Sequence, residues 1–269
     1  MPPVTAPSAN APETAPGHST GRRFGFIPLG IGDIFSRVHY PTSLLVFLSE
    51  ERLMIDCPSP LPKILHEAST RSGMPVLLED IRQVVLTHLH ADHASGLECL
   101  GFYSRWWAKR RAIIWTLPEI AAEMWEHRLS ASMAYDLRNG SRVEKSNRRE
   151  DYFDVRPLDR TRATTICGAI MHIRQTRHAP ICFGLKLYFD GRSLGYSSDT
   201  LFDREHIDFL ADCDLIIHET GGQIHTPYAA LAALPEPIRA KIRLIHVADE
   251  FDASQSVIPL LEEGRYYAL

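Results

Sequence analysis

Thr87-His88-Leu89-His90-Ala91-Asp92-His93 (THLHADH) places four potential metal ligands within six residues, directly after the apolar run Gln83–Thr87 (QVVLT). A β-branched run of this kind reads as a central strand, so it delivers the chain straight into His88 at a strand end. In an extended continuation His88 and His90 point to the same side, while a turn after Ala91 lets Asp92 and His93 aim at a neighbouring point. One metal ion would take the first pair and a second ion the other. The bland alternative, a solvated polar loop with incidental histidines, leaves the intervening Asp92 unexplained.

Outward from this stretch, Phe24–Gly32 (FGFIPLGIG) reads as a buried strand ending in glycines. Ser43–Leu48 and Arg52–Asp56 are short apolar runs spaced as adjacent antiparallel strands, and Leu61–Ser72 looks like a surface helix. Arg111–Thr116 reads as a strand and Leu117–Arg128 as a helix with Pro118 in its first turn. Cys182–Phe189 and Arg192–Ser198, joined by Asp190-Gly191, predict a hairpin that leaves Asp199 at a strand end. Cys213–Ile217 and Ile242–Ile245 are two more strands, delivering His218 and His246, with helical stretches expected after Phe202, Thr226 and Ser254. Residues 135–165 are polar and give no assignment. Strands that end in polar ligands and alternate with helices argue for a layered α/β sandwich.

The 269 residues are 45% hydrophobic, enough for one large α/β domain over residues 23–269. Residues 1–22, rich in Pro, Ala, Ser and Thr, bury too little to order themselves and read as a disordered tail. The formal net charge of -4 excludes a uniformly basic nucleic-acid binder. Positive charge is nevertheless segregated, because residues 101–177 hold 15 Lys/Arg against 9 Asp/Glu. Within this basic segment, Arg105 to Arg111 (RWWAKRR) has the mixture of an RNA- or nucleotide-contacting surface. The preferred reading is the commoner one, core tryptophans beside a solvated arginine edge. The 5 cysteines include no C-x-x-C pair, and their odd number argues against a secreted disulfide framework and for a reducing cytoplasm. No apolar run reaches the roughly 18 residues of a membrane span, and no signal-peptide core is present.

An H-x-H-x-D-H motif behind an apolar strand resembles the signature of the metallo-β-lactamase superfamily. His178 in RHAPICFGLKLYF, Asp199 in GRSLGYSSDT and His246 in RLIHVAD follow in that family's order, and the likeness runs from about residue 24 to 250. The H-x-P-x-x-F-G-L and S-S-D-T stretches and His218-Glu219-Thr220 are most similar to the ribonuclease Z-like branch. The resemblance implies a four-layered αββα sandwich. It also implies two divalent metal ions, zinc in preference to manganese or iron. His88, His90 and His178 would hold one, Asp92, His93 and His246 the other, and Asp199 would bridge them. Redox-active diiron relatives carry H-x-E-x-D-H; His90 stands in place of that Glu, which favours hydrolysis.

Two ions about 3.5 to 4 Å apart would hold a hydroxide between them, lower its pKa toward about 7 and neutralise charge on the attacked group. Asp92 would in addition orient or deprotonate the water. His225, 21 residues before His246, resembles the branch's histidine that faces the scissile phosphate, with Thr226 and Pro227 as N-cap and first residue of the next helix. Its expected role is to protonate the leaving oxygen. Asp56 in MIDC resembles the family's strand-end aspartate, which supports a ligand from behind, and Glu219 is expected to hydrogen-bond a ligand imidazole. His39, His66, His127, His172 and His206 lack a motif and read as surface or packing residues.

The expected activity is therefore that of a dinuclear metal-dependent phosphodiesterase acting on a small or cyclic nucleotide-type substrate. tRNA is disfavoured, because no Gly-Pro-rich arm like the tRNA-gripping insertion of ribonuclease Z is present and VADEF after His246 departs from that enzyme's pattern. The rival readings are a carboxylic ester or lactone hydrolase and a non-catalytic metal-bound sensor, the latter weakened by the complete ligand set. The expected partner is an anionic small molecule with no membrane, and a homodimer is left open.

Overall fold

The computed structural model describes residues 23–138, 141–143 and 146–269, Arg138 by its backbone alone. The tail read as disordered, residues 1–22, lies outside them. Strands β1 (Phe24–Gly30), β2 (Ser43–Leu48) and β3 (Glu51–Ile55) form an antiparallel meander, and all six residues of β2 are buried. Helix α1 (Leu61–Ser72) follows, then β4 (Gln83–Val85), the short α2 (Ala91–Ala94), α3 (Leu97–Trp106) and β5 (Ala112–Thr116). Beyond α4 (Pro118–Glu123) and α5 (Ser130–Met133), a small hairpin pairs β6 (Asp136–Arg138) with β7 (Ser141–Val143). β8 (Phe153–Pro157), β9 (Thr164–Ile166), β10 (Ala169–Gln175), β11 (Phe183–Phe189) and β12 (Arg192–Tyr196) come next. The chain closes with α6 (Arg204–Leu210), β13 (Leu215–Glu219), α7 (Tyr228–Ala232), α8 (Glu236–Arg239), β14 (Ile242–Ile245) and β15 (Tyr267–Ala268).

Two sheets result. One has the order β15-β1-β2-β3-β4-β5-β8 and the other β14-β13-β12-β11-β10-β9. Their inner faces share one apolar core, in which Phe26, Val46, Leu53 and Val85 of the first meet Phe183, Leu187, Leu194 and Ile217 of the second. Helices α1, α3 and α4 add Ile64, Leu100 and Ile120 to this core, whereas α6 and α7 cover the second sheet with a separate cluster around Ile207, Leu210, Ile216 and Leu231. This is a four-layered αββα sandwich, as the motif resemblance implied.

β3, β4, β5 and β8 run parallel, as do β12, β13 and β14. Parallel neighbours place their C-terminal ends together, and in open α/β sheets that edge is where ligands bind. His88, Asp199, Glu219 and His246 lie at or just past such ends.

Three expectations need correction. Past α4 the helix widens into a π-helical segment, Met124–Leu129, in which Arg128 donates from Nη1 to the Leu89 carbonyl oxygen at 2.8 Å. After Ser254 there is only a 3-10 turn, Ala253–Gln255. Trp106 and Trp107 do not enter the core; they are 43% and 73% exposed, because the last turn of α3 leaves the sandwich before β5 begins. Of the cations in the cluster Arg105 to Arg111, Lys109 and Arg111 are exposed, whereas Arg105 and Arg110 are half-buried, Arg110 donating from Nη2 to the Glu79 carbonyl oxygen at 2.7 Å. Arg156, Arg160 and Arg162 pair with Asp154, Glu119 and Asp159, and Arg105 lies over the Trp106 and Tyr152 rings. Among the described residues no helix is long and apolar enough to cross a membrane.

Candidate metal centre

β4 ends at Val85, and the extended Leu86–His90 carries His88 and His90 out of the sheet before α2 turns Asp92 and His93 back toward it. The Cys57 N–H to His93 carbonyl bond and the Gly96 N–H to Cys57 carbonyl bond, both 2.7 Å, clamp this turn to the end of β3. Asp56, Ser198 and His246 all have positive φ, at 60°, 51° and 58°. For non-glycine residues such backbone costs on the order of 1–3 kcal/mol each and persists where the surroundings over-determine it. Three strand ends are thus bent inward at one point.

At that point His88, His90, His178 and Asp199 offer ligand atoms within 4.8 Å of one another, as do Asp92, His93 and His246. His93 Nε2 lies 3.4 Å from Asp199 Oδ1 and 3.5 Å from Asp92 Oδ2, and His246 Nε2 lies 3.2 Å from Asp92 Oδ2 and 3.5 Å from Asp199 Oδ2. His88 Nε2 and His178 Nε2 stand 3.7 and 3.8 Å from Asp199 Oδ2, and His178 Nε2 is 3.1 Å from His90 Nδ1. All seven residues of the sequence-derived ligand set are brought together, with Asp199 facing both groups.

His88 Nε2, His93 Nε2 and Asp199 Oδ1 are buried without a hydrogen-bond partner. Buried polar atoms are rarely left so. Two ligand atoms each about 2.0–2.1 Å from one ion at a tetrahedral angle would lie roughly 3.4 Å apart, close to the separations found here. Imidazole and carboxylate donors with these orphaned atoms fit divalent metal ions.

The surroundings fix the ring orientations. Asp56 Oδ2 meets His93 Nδ1 at 2.8 Å, while Asp56 Oδ1 accepts from the Thr87 N–H and hydroxyl, each at 2.9 Å. A carboxylate behind one ring nitrogen sets the tautomer and leaves the other nitrogen for the centre. Thr87 Oγ1 lies 3.0 Å from His88 Nδ1 in the same manner. Burial holds His88 well below the usual histidine range, pushes His178 down to about 4 and lowers His90, so these rings are neutral, the ligating form. Burial also opposes charge on His93 and His246, yet Asp199, with Asp56 beside the first and Asp92 beside the second, raises both, His246 to about 9. A pocket with buried Asp56, Asp92, Asp199 and Glu219 calls for positive charge.

His225 sits beside this cluster, its Nδ1 3.2 Å from Glu219 Oε1 and 4.0 Å from Asp199 Oδ2. Asp199, His225 and His246 also form a third group with metal-ligand spacing. The imidazole that Glu219 meets is therefore His225, outside the seven-residue set. Glu219 Oε1 further accepts from the Thr200 and Thr226 N–H groups at 2.8 and 3.3 Å. Thr226 does not cap α7: its hydroxyl donates to the Thr200 carbonyl at 2.9 Å, and the helix begins at Tyr228 with Pro227 in the capping place. His218 turns its Nδ1 to the Glu219 carbonyl at 2.7 Å, and His206 is a buried packing residue whose Nε2 meets the Ser197 carbonyl at 3.1 Å. A cleft of about 460 Å³ opens over His90, Asp92, Asp199, His225 and His246, walled elsewhere by Asp33–Phe35 and Gly221–Ile224. Arg128 and these wall residues were not singled out in the sequence, because none falls in a motif; Gly32 marked the turn but not its direction.

The match to a family profile described as Anti-Pycsar protein Apyc1 covers residues 24–267. The anti-Pycsar protein Apyc1 of Paenibacillus harenae is 30% identical over 234 residues, 84% of this chain and 91% of that protein. Among solved structures, the metallo-β-lactamase fold protein YhfI from Bacillus subtilis superposes with a TM-score of 0.70 at 13% identity, covering 92% of this chain and all of that one. The short form of human tRNase Z superposes with a TM-score of 0.62 at 16% identity, over 90% of this chain and 98% of its own. The likeness to these two structures shows the fold; the profile and the Paenibacillus relative place the chain within the Anti-Pycsar protein Apyc1 family, on the metallo-β-lactamase fold.

Proposed function

We propose that this metal-dependent hydrolase cleaves a phosphodiester in a small, cyclic nucleotide-type substrate. In this reading His88, His90 and His178 would hold one divalent ion, zinc in preference to manganese or iron, Asp92, His93 and His246 would hold a second, and Asp199 would serve both. The observation that carries the proposal is the convergence of seven ligand residues with orphaned buried atoms beside a Glu219–His225 pair, all in one cleft. Divalent ions in such a centre would supply a nucleophile at neutral pH and positive charge beside the non-bridging oxygens of the attacked phosphate.

The chain's own groups divide the remaining work. Asp56 and Thr87 keep His93 and His88 turned inward. Glu219 takes Nδ1 of His225, which leaves Nε2 for the cleft that His225 lines. Protonated on both nitrogens, His225 would donate the Nε2 proton to the departing ribose oxygen and be left neutral, since an alkoxide does not leave unprotonated at neutral pH. The cleft volume of about 460 Å³ suits a small molecule.

The test is a substrate comparison with metal-supplemented protein: cyclic nucleoside monophosphates, a generic phosphodiester, a carboxylic ester and a lactone. Ring opening of the cyclic nucleotide to the linear monophosphate is expected to be the fastest. Faster turnover of ester or lactone would overturn the reading, and no turnover of any of them at full metal content would favour a sensor.

A further inference from the structure

One wall of the cleft over the metal centre is apolar and uncovered. Ile34 and Phe35 line it from the loop after β1, and Ile224 lines it from the turn that carries His225. All three are exposed, Phe35 by 84%. An isolated exposed apolar side chain needs no explanation, but three that share a cavity with the candidate metal ligands form a patch of the kind that marks a binding surface.

The loop is held in place and does not merely trail in solvent. Asp33 Oδ1 accepts the Phe35 N–H at 2.9 Å, and the Asp33 N–H donates to the Val247 carbonyl at 3.1 Å. Asp249 accepts the Ser36 hydroxyl at 2.6 Å, the Arg37 N–H at 2.9 Å and Arg37 Nε at 3.3 Å. Val247 and Asp249 lie within three residues of His246, so the loop is bonded to the segment that carries a candidate ligand. At Gly32 the chain folds back so tightly that a Cβ would lie 2.7 Å from Ser36 Cβ and 2.8 Å from His39 Cβ. The fold thus holds the backbone of an exposed aromatic residue beside the candidate metal centre. Preorganisation of this kind reduces the ordering cost of binding, and the exposed ring is itself unfavourable until something apolar covers it.

We propose that Phe35, flanked by Ile34 and Ile224, is a stacking platform for the planar base of the nucleotide, with the phosphodiester at the metal-centre side of the same cleft. This rests on the phosphodiester reading above. A base offers a flat face to an aromatic ring whatever its hydrogen-bonding edge, whereas the phosphate is attracted by charge; one cleft with an apolar wall and a metal centre matches a ligand with those two parts.

The test compares the metal-loaded full chain with Phe35→Ala and Phe35→Trp on a cyclic nucleoside monophosphate and on the corresponding cyclic ribose phosphate without a base. Calorimetric binding of the linear nucleoside monophosphate and sedimentation of each variant are measured alongside. Phe35→Ala is expected to reduce the preference for the nucleotide over the baseless substrate by on the order of 10- to 100-fold, mainly through KM, and to weaken monophosphate binding similarly. Phe35→Trp retains the preference. Equal losses on both substrates, or an intact preference, overturn the platform. A shift in sedimentation with the preference intact would assign the loop to a contact between two copies and also overturn it. Turnover of neither substrate by the unsubstituted chain overturns the function proposal and the platform with it, while turnover without a Phe35 effect overturns the platform alone.

Discussion

His225 Nδ1 lies 3.2 Å from the buried Glu219 carboxylate, nearer than the 4.0 Å to Asp199, and the proposed proton transfer rests on that pairing. His225→Ala should cost on the order of 10² to 10⁴ in turnover of a substrate with an alkoxide leaving group, and far less for bis-nitrophenyl phosphate, whose leaving group departs as the anion. Metal content should not change; elemental analysis showing a lost ion would make His225 a ligand instead. A second residue-level expectation concerns acid. His206 is buried neutral, its pKa pushed down to about 3 by burial, against about 6.5 in the unfolded chain. Between those values the unfolded chain binds a proton that the folded chain refuses. The stability this residue contributes is complete above about pH 6.5 and declines as pH falls, by about 1.4 kcal/mol per pH unit near pH 5. Urea midpoints of His206→Asn and the unsubstituted chain, at matched metal loading, should therefore converge on acidification; parallel pH curves would show that His206 is not the group involved. Of the seven residues that converge on the candidate centre, the short motif after β4 gave His88, His90, Asp92 and His93, while His178, Asp199 and His246 were implied only by the family resemblance. The Glu219–His225 pairing was not legible in the sequence, because it depends on how Gly221–Ile224 folds between them.

Spacing of apolar residues was enough to read β1, β2, β3, β5, β11, β12 and β14, whose runs are long or both-side buried. It missed β10, although its burial alternates residue by residue in the manner of a half-covered strand, because Arg174 and Gln175 merge into the polar loop before His178. It also missed α2, which opens within the ligand motif itself, and α3, which begins just beyond it at Leu97. What joins that motif to the end of β3 is Gly96. Its N–H donates to the Cys57 carbonyl at 2.7 Å, and a Cβ there would collide with the Pro58 carbonyl oxygen and stand 2.9 Å from the Cys57 carbonyl oxygen. Gly96→Ala should destabilise by about 1–3 kcal/mol, as overpacking against rigid backbone does, and should weaken metal affinity because Asp92 and His93 move with the turn. Urea unfolding and a competitive metal titration measure the two effects. Unchanged values in both would mean that the β3 end yields readily and does not position the motif.

At the scale of the molecule, the candidate centre lies where the C-terminal ends of both sheets meet, drawing His88, His90, Asp92 and His93 from the first sheet and His178, Asp199 and His246 from the second. Ions bound there join the two sheets at an edge where the facing groups are buried polar side chains and not apolar core. The folded chain holds this constellation and the unfolded chain does not, so occupancy stabilises by mass action, about 2.7 kcal/mol for a site at one hundred times its Kd. For a chain of this size each kcal/mol corresponds to roughly 2–4 °C, so chelation should lower Tm by about 5–10 °C per site, and added zinc should restore it. Elemental analysis should find two ions per chain at saturation. Asp199→Ala, which removes the carboxylate facing both groups, should lower occupancy of both sites and make Tm nearly indifferent to chelator. A well-folded protein that saturates at one ion or none would refute the dinuclear assignment. Two ions whose removal leaves Tm unchanged would show that the edge is held by the protein alone.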